Sequence, residues 1–492
     1  TGCADSKVDA EELLESMNIP VYQPIVLGRM SVREWEYSIG LTSDLTWQVA
    51  FPEFEGVIEP FVIGSDAGMD NDDGNRRVLI EERSRSFAKR IFNTILLKKI
   101  PNNMKKVVIF LNNFPCYGVE ANVGSAAGLD SLESVSNILK RMEEEGYTVN
   151  APTDGKDLIT RILDNKALSE FRWTTIQEIK KCGGAMYSMG MEEYRTFFQS
   201  LTEHTQKDVI ETWGEPPGQG MVLNDELIIT GVSFGNVIVA VQPKRGCFGS
   251  RCDGQVCKIL HDPLCPPTHH FLAAYHYYKN VWGANAIIHT GTHGNMEWTP
   301  GKGVGMTQNC YPDIAMRDSP HFYIYNSDNP SEGLVAKRRS YATLVDHMQN
   351  VMTRVQLYDE FSELENLLAQ YQTASKDPTH KQYLRDQIIS AVKNAKLYEV
   401  EITDETSLEE CVRLCHESLS KIRNSQMNLG LHIFGEIPRD ERRVEMINSI
   451  VRYGEEHDSI RDCIADIMGL DLSELYKGQG EVNDRFNGSL RI

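Results

Sequence analysis

The chain of 492 residues is 41% hydrophobic and 24% charged, a globular composition, and its length predicts roughly two to four domains. Its formal net charge of −20 argues against a nucleic-acid partner, and the sequence has no apolar run long enough to predict a membrane span. The 11 cysteines, an odd number without a recognisable export signal, predict reduced thiols and a cytoplasmic protein.

Residues 1–104 predict the end of an upstream α/β domain followed by a connecting helix. A helical stretch over Asp9–Met17 precedes two short apolar strands, "IPVYQPIVLG" and "GVIEPFVIG". From Arg76 to Lys99 apolar residues recur at helical spacing, and we expect the intervening basic residues on a solvated face. Because the opening helix is better explained by a preceding domain, we expect the chain to be a fragment.

Residues 105–340 predict an α/β core with parallel or mixed sheets flanked by helices. "KKVVIFLNNFP" predicts a buried strand, followed by the loop "NVGSAAGLD" and a helix from Asp130 to Gly146. Loops at the carboxyl ends of such strands bind ligands, but this one lacks the G-x-G-x-x-G pattern, and a helix-packing turn fits it equally well. "LIITGVSFGNVIVAVQ" predicts a hairpin turning at residues 234–236, and a helix over His269–Val281 precedes the strand "ANAIIH".

The pattern changes after about residue 340. Apolar residues from Leu344 to Leu368 recur every three to four positions, which predicts a mostly helical segment over 341–427. "NLGLHIFGEIP" predicts a return to strand and loop, so we assign residues 428–492 to the α/β core, truncated at the carboxyl terminus.

The segment "HTGTHGNMEWTPGKG", residues 289–303, carries the strongest chemical signal. It is not a Walker A loop, because Gly303 follows Lys302 and Met296 stands where the first glycine is needed. We therefore expect another chain to hydrolyse any ATP that the protein requires.

His289, His293 and Glu297 can be turned toward one point by the glycines between them. Imidazole with carboxylate suits divalent Co, Ni, Zn or Fe, whereas Mg prefers oxygen ligands. The spacing is not H-E-x-x-H, which argues against a zincin protease. A metal or proton-transfer site and a turn with two satisfied histidines both remain open.

A second cluster combines thiols and imidazoles between residues 247 and 270. Its spacing matches neither a zinc ribbon nor a ferredoxin, so a Zn or Fe-S centre and a reduced loop with incidental thiols are both open. His269 and His270 begin a helix, either as an imidazole at its positive end or as structural residues. The candidate ligands of this second metal site are Cys247, Cys252, Cys257 and Cys265.

A third cluster is the basic triplet Lys337, Arg338 and Arg339, with Glu332 and His347 on either side in the sequence. Arginine forks pair with carboxylates, so the triplet could clamp a ligand that carries several carboxylates. A solvated helix face is the alternative.

Ordered motifs over about residues 47–436 resemble one family, the large subunit of ATP-dependent tetrapyrrole chelatases, which includes the CobN subunit of cobaltochelatase and the H subunit of magnesium chelatase. The resemblance implies a tetrapyrrole-binding subunit that inserts a divalent metal while separate AAA+ subunits hydrolyse ATP. Members are much longer, so the chain resembles their central portion. The motifs include "WQVAFPEFEG", "GSAAGLDSLESV", "HDPLCPPTHHFLAAY", "GANAIIHTGTHGNMEWTPGKGVGM", "NPSEGLVAKRRSYATLVDHM" and "GLHIFGE".

The resemblance also implies roles for the residues. Glu297 would be the base that removes pyrrole protons, with His289 and His293 delivering the metal. Trp298 would pack on the ring, and the positive charges would meet its peripheral carboxylates or amides. The expected tetrapyrrole-binding residues are Trp298, Lys302, Lys337, Arg338 and Arg339.

"MEW" and "LVDHM" resemble the cobalt branch. We therefore expect insertion of Co²⁺ into a corrin ring, hydrogenobyrinic acid a,c-diamide, in cobalamin biosynthesis. The alternatives are insertion of Mg²⁺ into protoporphyrin IX, a non-catalytic tetrapyrrole-binding protein, and a metallohydrolase that uses the same His/Glu set on water.

Overall fold

A computed structural model shows mixed α/β architecture with sheets flanked by helices. It describes residues 10–66, 77–113, 122–170, 174–246, 262–326, 330–348, 378–394, 431–451 and 458–469, with isolated positions at 364–371 and 407–415. Within these ranges no helix is long and apolar enough to cross a membrane.

The strands are β1 (Tyr22–Leu27), β2 (Ile58–Asp66), β3 (Arg77–Leu79), β4 (Val107–Leu111), β5 (Ala185–Met189), β6 (Val222–Leu223), β7 (Glu226–Thr230), β8 (Val232–Ser233), β9 (Val237–Val241), β10 (Ala286–Thr290), β11 (His321–Ile324) and β12 (Thr343–Val345).

The α-helices are α1 (Ala10–Met17), α2 (Val32–Tyr37), α3 (Phe51–Phe54), α4 (Glu81–Lys99), α5 (Ser131–Glu144), α6 (Gly155–Asp164), α7 (Ile176–Cys182), α8 (Met191–Gln199), α9 (Glu203–Trp213), α10 (His269–His276), α11 (Tyr311–Met316), α12 (Pro330–Ser340), α13 (Pro378–Asn394), α14 (Asp440–Val451) and α15 (Ile460–Met468). One-turn π-helices cover Thr46–Ala50 and Tyr277–Val281, and 3₁₀ turns cover Asn102–Met104 and Met296–Trp298.

The central sheet has the strand order β12-β11-β10-β4-β9-β8, and all neighbours are parallel except β8 and β9. Every residue of β4 and β9 is buried, because helices cover both faces of the sheet. Val108 and Phe110 pack on the side of α10, whereas Ile109 and Leu111 pack on the side of α5 and α6. The carboxyl ends of five parallel strands therefore share one edge, where loops of α/β sheets bind ligands.

Two smaller sheets flank the central one. The first joins β1 and β2 in parallel and adds β3 antiparallel, and the second is the antiparallel set β5-β7-β6. Trp35 on α2 is buried in the cluster formed with the first small sheet, and its indole N–H donates to the carbonyl of Gly305 at 2.8 Å. The amino-terminal segment is thus attached directly to the loop after β10.

The expectation of a solvated basic face on α4 was wrong for Arg83 and Arg90, because both side chains are fully buried. Arg83 donates two hydrogen bonds to Asp313 on α11, at 2.9 and 2.8 Å. Arg90 pairs with Glu59 on β2 and also donates to main-chain carbonyls. Such charges are tolerated inside a protein only when they are paired and hydrogen-bonded.

Two further expectations need correction. The hairpin at residues 234–236 exists, but it joins only β8 to β9, because β7 pairs with β5 and β6 in another sheet. The helical segment expected from residue 341 begins instead with β12, which pairs with β11. Residues 349–363, in the middle of the predicted apolar stripe, lie outside the described part of the chain.

Candidate functional site

The loop after β10 lies over the carboxyl edge of the central sheet and is held close to neighbouring backbone. A Cβ atom on Gly291, whose φ is +127°, would lie 2.7 Å from the carbonyl oxygen of Ser125. One on Gly294 would lie 2.9 Å from Asn112 Oδ1 and 3.0 Å from the Tyr323 hydroxyl. These positions need glycine, because any side chain would push the loop away from β4 and β11.

Glu297 lies in the loop after β10, within the 3₁₀ turn Met296–Trp298. Its side chain is fully buried, and Oε1 accepts hydrogen bonds from the Gly294 amide at 2.9 Å and the Tyr323 hydroxyl at 3.0 Å. Its second oxygen, Oε2, is also buried and has no hydrogen-bond partner among the described residues. A buried carboxylate oxygen left without a donor indicates a place for a ligand, a metal or a proton.

Burial raises the pKa of Glu297 because it disfavours the charged carboxylate. The backbone and Tyr323 hydrogen bonds and the nearby His293 act in the opposite direction on this pKa, but they do not outweigh burial. A carboxylate with a raised pKa takes up a proton more readily than an ordinary one, which suits a general base.

His293 lies beside this carboxyl, on the more open side of the loop. Its Nδ1 atom is 3.6 Å from Oε2 of Glu332 on α12, and its ring meets Trp298 edge-on with centroids 5.5 Å apart. The side chains of His293 and Glu332 are 32% and 28% exposed. A proton on His293 therefore has a carboxylate and a route to solvent nearby.

His289 has a different environment. Its Nε2 is 2.9 Å from the Tyr275 hydroxyl, and its Nδ1 is 2.8 Å from Nε2 of His321. Burial lowers the pKa of His289 and lowers that of His321 to about 3, so both rings are neutral and carry one N–H each.

The carbonyl of Ser340 fixes the direction of this chain of hydrogen bonds. Because a carbonyl only accepts, Nδ1 of His321 must donate to it, at 2.9 Å. His289 then donates from Nδ1 to His321 and accepts from Tyr275 at Nε2. As arranged, His289 has no free lone pair for a metal.

The same network reaches the loop that carries Glu297. Gln242 donates to the Tyr275 hydroxyl at 3.1 Å, and its own Oε1 accepts from the Asn295 amide at 2.7 Å. The histidine network therefore fixes the orientation of Gln242, which in turn fixes the backbone two residues before Glu297. This arrangement makes His289 a positioning residue for the site.

Several other buried polar atoms at the ends of β4 and β10 have no hydrogen-bond partner within the described ranges. Three of them belong to residues at or just after the ends of β4 and β10, and the fourth belongs to Trp298, the residue that follows Glu297. Together they provide two amide oxygens, one hydroxyl and one indole N–H, a polar lining that fits a ligand. The atoms are Asn112 Oδ1, Asn113 Oδ1, Thr290 Oγ1 and Trp298 Nε1.

Two of the expected ring-binding cations are engaged in structural contacts. The Lys302 ammonium is buried and donates to the carbonyls of Trp35, Glu36 and Ser38 at the end of α2. Arg339 donates to the carbonyl of Lys302 at 3.0 Å and to that of Thr299 at 2.6 Å. Both side chains hold the loop between β10 and α11 in place.

The remaining cations differ from each other. Arg338 forms a two-pronged ion pair with Glu53 of α3, with its shortest contact at 2.7 Å. Lys337 is partly exposed, and no ion pair to it is found within the described part of the chain. Within the described part of the chain, Lys337 is therefore the member of the triplet without an ion-pair or carbonyl partner.

The structure does not gather the three expected metal ligands into one cluster. No group of three His, Cys, Asp or Glu side chains suited to a metal occurs within the described ranges, and His289 lies within its own hydrogen-bond network.

Of the cysteine cluster, Cys247, Cys252 and Cys257 lie outside the described residues, and Cys265 is buried. His269 and His270 are buried and hydrogen-bonded to Tyr194 and to the Ile228 carbonyl, which favours the structural interpretation.

Sequence reasoning did not identify Tyr323, His321, Tyr275 or Gln242. A usable signal existed in "HFYIY", where His321 and Tyr323 alternate along β11 and Tyr325 follows the strand at the same two-residue spacing. Their polar atoms reach Ser340, Glu297 and Glu332.

Comparison with known proteins identifies one family. The family model CobN/Magnesium Chelatase matches residues 2–490. An uncharacterized protein of Methanocaldococcus jannaschii is 45% identical over 91% of this chain and 37% of its own length. The chloroplastic magnesium-chelatase subunit ChlH of Oryza sativa subsp. indica is 30% identical, over 94% of this chain and 33% of its own.

Relatives from cobaltochelatases also match the chain. The aerobic cobaltochelatase subunit CobN of Pseudomonas aeruginosa is 28% identical over 98% of this chain and 39% of its own. The catalytic subunit of cobaltochelatase from Mycobacterium tuberculosis superimposes with a TM-score of 0.68 at 28% identity, covering 98% of this chain and 40% of that one. The chain thus spans well under half the length of these relatives, and it belongs to the CobN/Magnesium Chelatase family.

Proposed function

We propose that the chain is the metal-inserting part of a tetrapyrrole chelatase large subunit, with Glu297 as the base. The observation that carries this proposal is the buried carboxyl of Glu297, which has one oxygen held by Gly294 and Tyr323 and the other unpartnered within the described ranges. Removal of the pyrrole protons needs a proton acceptor, and a buried carboxyl with an unpartnered oxygen provides one.

In the proposed reaction, two residues accept the two protons that the ring releases. Two pyrrole N–H bonds break, the dication forms bonds to the ring nitrogens, and two protons leave. Glu297 takes one proton at Oε2. His293 takes the other at its imidazole and passes it to Glu332, whose carboxylate is 3.6 Å from Nδ1 and is partly open to solvent.

The ring would lie against Trp298, whose indole N–H is buried without a partner among the described residues. An indole supplies both an apolar face for the macrocycle and a donor for a peripheral oxygen. Lys337 would meet a peripheral carboxylate of the ring, while Lys302 and Arg339 would hold the loop between β10 and α11 in place. The relatives named as chelatase subunits support a chelatase function for the chain. AAA+ ATPase partners and a cytoplasmic location are further parts of the proposal.

We further propose Co²⁺ in a corrin ring as the substrate pair. An imidazole next to a carboxylate favours Co²⁺ over Mg²⁺, which prefers oxygen ligands. The magnesium alternative, with protoporphyrin IX, has support from the plant relative. A ring-binding protein without insertion activity is the candidate from another class.

The test is a fluorescence-quenching titration of the purified chain with hydrogenobyrinic acid a,c-diamide and, separately, with protoporphyrin IX. Selective binding of the corrinoid, followed by Co²⁺ insertion when ATPase subunits are added, supports the proposal. Selective binding of protoporphyrin IX with Mg²⁺ insertion would reassign the substrate. Binding without insertion of either metal would contradict the catalytic role.

A further inference from the structure

A pair of histidines outside the Glu297 site lies over the same edge of the sheet. His347 follows the end of β12, and His432 belongs to the segment that returns to the core. Both side chains are more than nine-tenths buried, with 6% and 7% exposure. Their ring centroids are 5.8 Å apart and their planes differ by 19°.

One nitrogen of each ring is occupied by a main-chain carbonyl. Nδ1 of His347 is 3.1 Å from the Met348 carbonyl, and Nε2 of His432 is 3.1 Å from the Glu436 carbonyl. Carbonyls only accept, so each of these nitrogens carries the N–H. The other nitrogens, Nε2 of His347 and Nδ1 of His432, are therefore the lone-pair atoms of neutral imidazoles.

These two lone-pair nitrogens are buried and have no hydrogen-bond partner among the residues that the structure describes. Two buried acceptors on neighbouring rings, with no donor among the described residues, call for a cation or a donating ligand. Metal-binding histidines usually donate their second N–H to a carbonyl or carboxylate, which fixes the ring as it is fixed here. Imidazole nitrogens lie about 2.0–2.1 Å from a bound zinc ion, so rings sharing one ion have centroids within about 6 Å.

The position of the pair is set by the sheet. His432 is tied to the loop after β4, since its amide donates to the Gly128 carbonyl and its carbonyl accepts from the Asp130 amide, each at 2.8 Å. His347 comes from β12, three strands away from β4 in the order β12-β11-β10-β4. Neighbouring strands are about 4.8 Å apart, so the segments that carry the two rings converge from starting points separated by roughly 14 Å of sheet edge.

We infer that His347 and His432 form a two-imidazole binding site for a divalent transition-metal ion of the Co²⁺, Ni²⁺ or Zn²⁺ class. Two protein ligands leave positions open for water or substrate, which suits an ion that is exchanged rather than a closed structural site. If the chain is a chelatase, as proposed above, this ion is the metal awaiting insertion on the edge that carries Glu297. That loading role rests on the proposed function, whereas the binding site does not.

The test is a titration of the purified chain with Co²⁺ alone, without tetrapyrrole or ATPase subunits, followed by visible absorption and calorimetry. The variants are His347→Gln, His432→Gln and the double substitution, with His204→Gln on the exposed surface as the matched control. We expect one Co²⁺ site whose affinity falls by at least about 10–100-fold in each variant, the cost of losing even an outer partner of a metal ligand. Mg²⁺ should not compete.

Circular dichroism on each variant separates loss of the metal site from loss of the fold. His347→Gln changes only the residue after β12, so its Co²⁺ affinity tests the site without altering the segment that carries His432. Unchanged Co²⁺ affinity in a folded double variant would overturn the inference. Sulfur-to-cobalt charge-transfer absorption that survives both substitutions would assign the ion to cysteines and also overturn it.

Insertion assays distinguish the two proposals. A wild-type chain that binds Co²⁺ through these histidines but inserts no metal would contradict the proposed function and leave the site intact. Histidine variants that lose Co²⁺ affinity but insert Co²⁺ at the wild-type rate, at low metal concentration, would overturn the loading role.

Discussion

Tyr323 donates its hydroxyl hydrogen to Oε1 of Glu297 at 3.0 Å, so a residue of β11 acts to lower the pKa of a carboxyl in the loop after β10. A donor to the carboxylate favours the charged form and opposes the effect of burial on the pKa. The reactivity of Glu297 therefore depends on a strand residue that the sequence motif does not contain.

Removing that donor should change the pH dependence of metal insertion. Insertion requires ionised Glu297, so the rate should rise with pH through the pKa of this carboxyl. In Tyr323→Phe that pKa should increase, and the half-rise of the rate should move to higher pH. Tyr187→Phe is the control, because its hydroxyl donates to Glu193 on α8 and not to a residue of the proposed proton path. Identical profiles for Tyr323→Phe and wild type would show that Glu297 is not the titrating base.

Glu297 should also reduce the stability of the fold at neutral pH. Its pKa is raised from the ordinary value of 4.5 by burial, so the folded state prefers the protonated carboxyl. Stability that is present below pH 4.5 is then lost as the pH rises through the folded-state pKa. Glu297→Gln should therefore unfold at higher urea concentration than wild type at pH 8, with the difference shrinking toward pH 4.5. A difference that is independent of pH would contradict this account.

The buried pair of Arg83 and Asp313 should be a main structural link between α4 and α11. Arg83→Met leaves Asp313 buried with fewer partners and should cost about 3–5 kcal/mol of unfolding free energy. Arg85→Met is the matched control, because the side chains of Arg85 and Glu81 are 79% and 73% exposed and their pair should contribute little. Denaturant midpoints measure both changes, and equal midpoints would contradict the assignment.

The cations near the site should separate into two classes. Lys337→Ala should weaken ring binding by up to about fivefold, corresponding to roughly 1 kcal/mol for a partly exposed charge, and salt should reduce the difference. Lys302→Met should instead lower the melting temperature, because carbonyls at the end of α2 lose their donor. If Lys302→Met weakens ring binding without changing the melting temperature, Lys302 contacts the ligand.

The sequence predicted those parts of the fold that depend on local pattern. β4 and β10 are apolar strands of the central sheet, and α5 begins next to Asp130, where the helix was expected to start. β12 was missed because its three residues also fit a helical spacing and become a strand only by pairing with β11.

The sequence predicted only the part of the candidate site that lies within one motif, because contacts between distant segments leave no local pattern. The motif identified Glu297 and the glycines that let its loop turn. It could not show that Arg83 meets Asp313, that His289 meets His321, or that Tyr323 meets Glu297, because the fold alone brings these residues together.

The most direct test of the central claim is metal insertion under single-turnover conditions by Glu297→Gln, with ring affinity measured on the same preparation. We expect ring affinity within about twofold of wild type and an insertion rate reduced by about 10²–10⁴-fold, the usual contribution of a general base. A Glu297→Gln chain that binds the ring and inserts metal at the wild-type rate would contradict the assignment of Glu297 as the base.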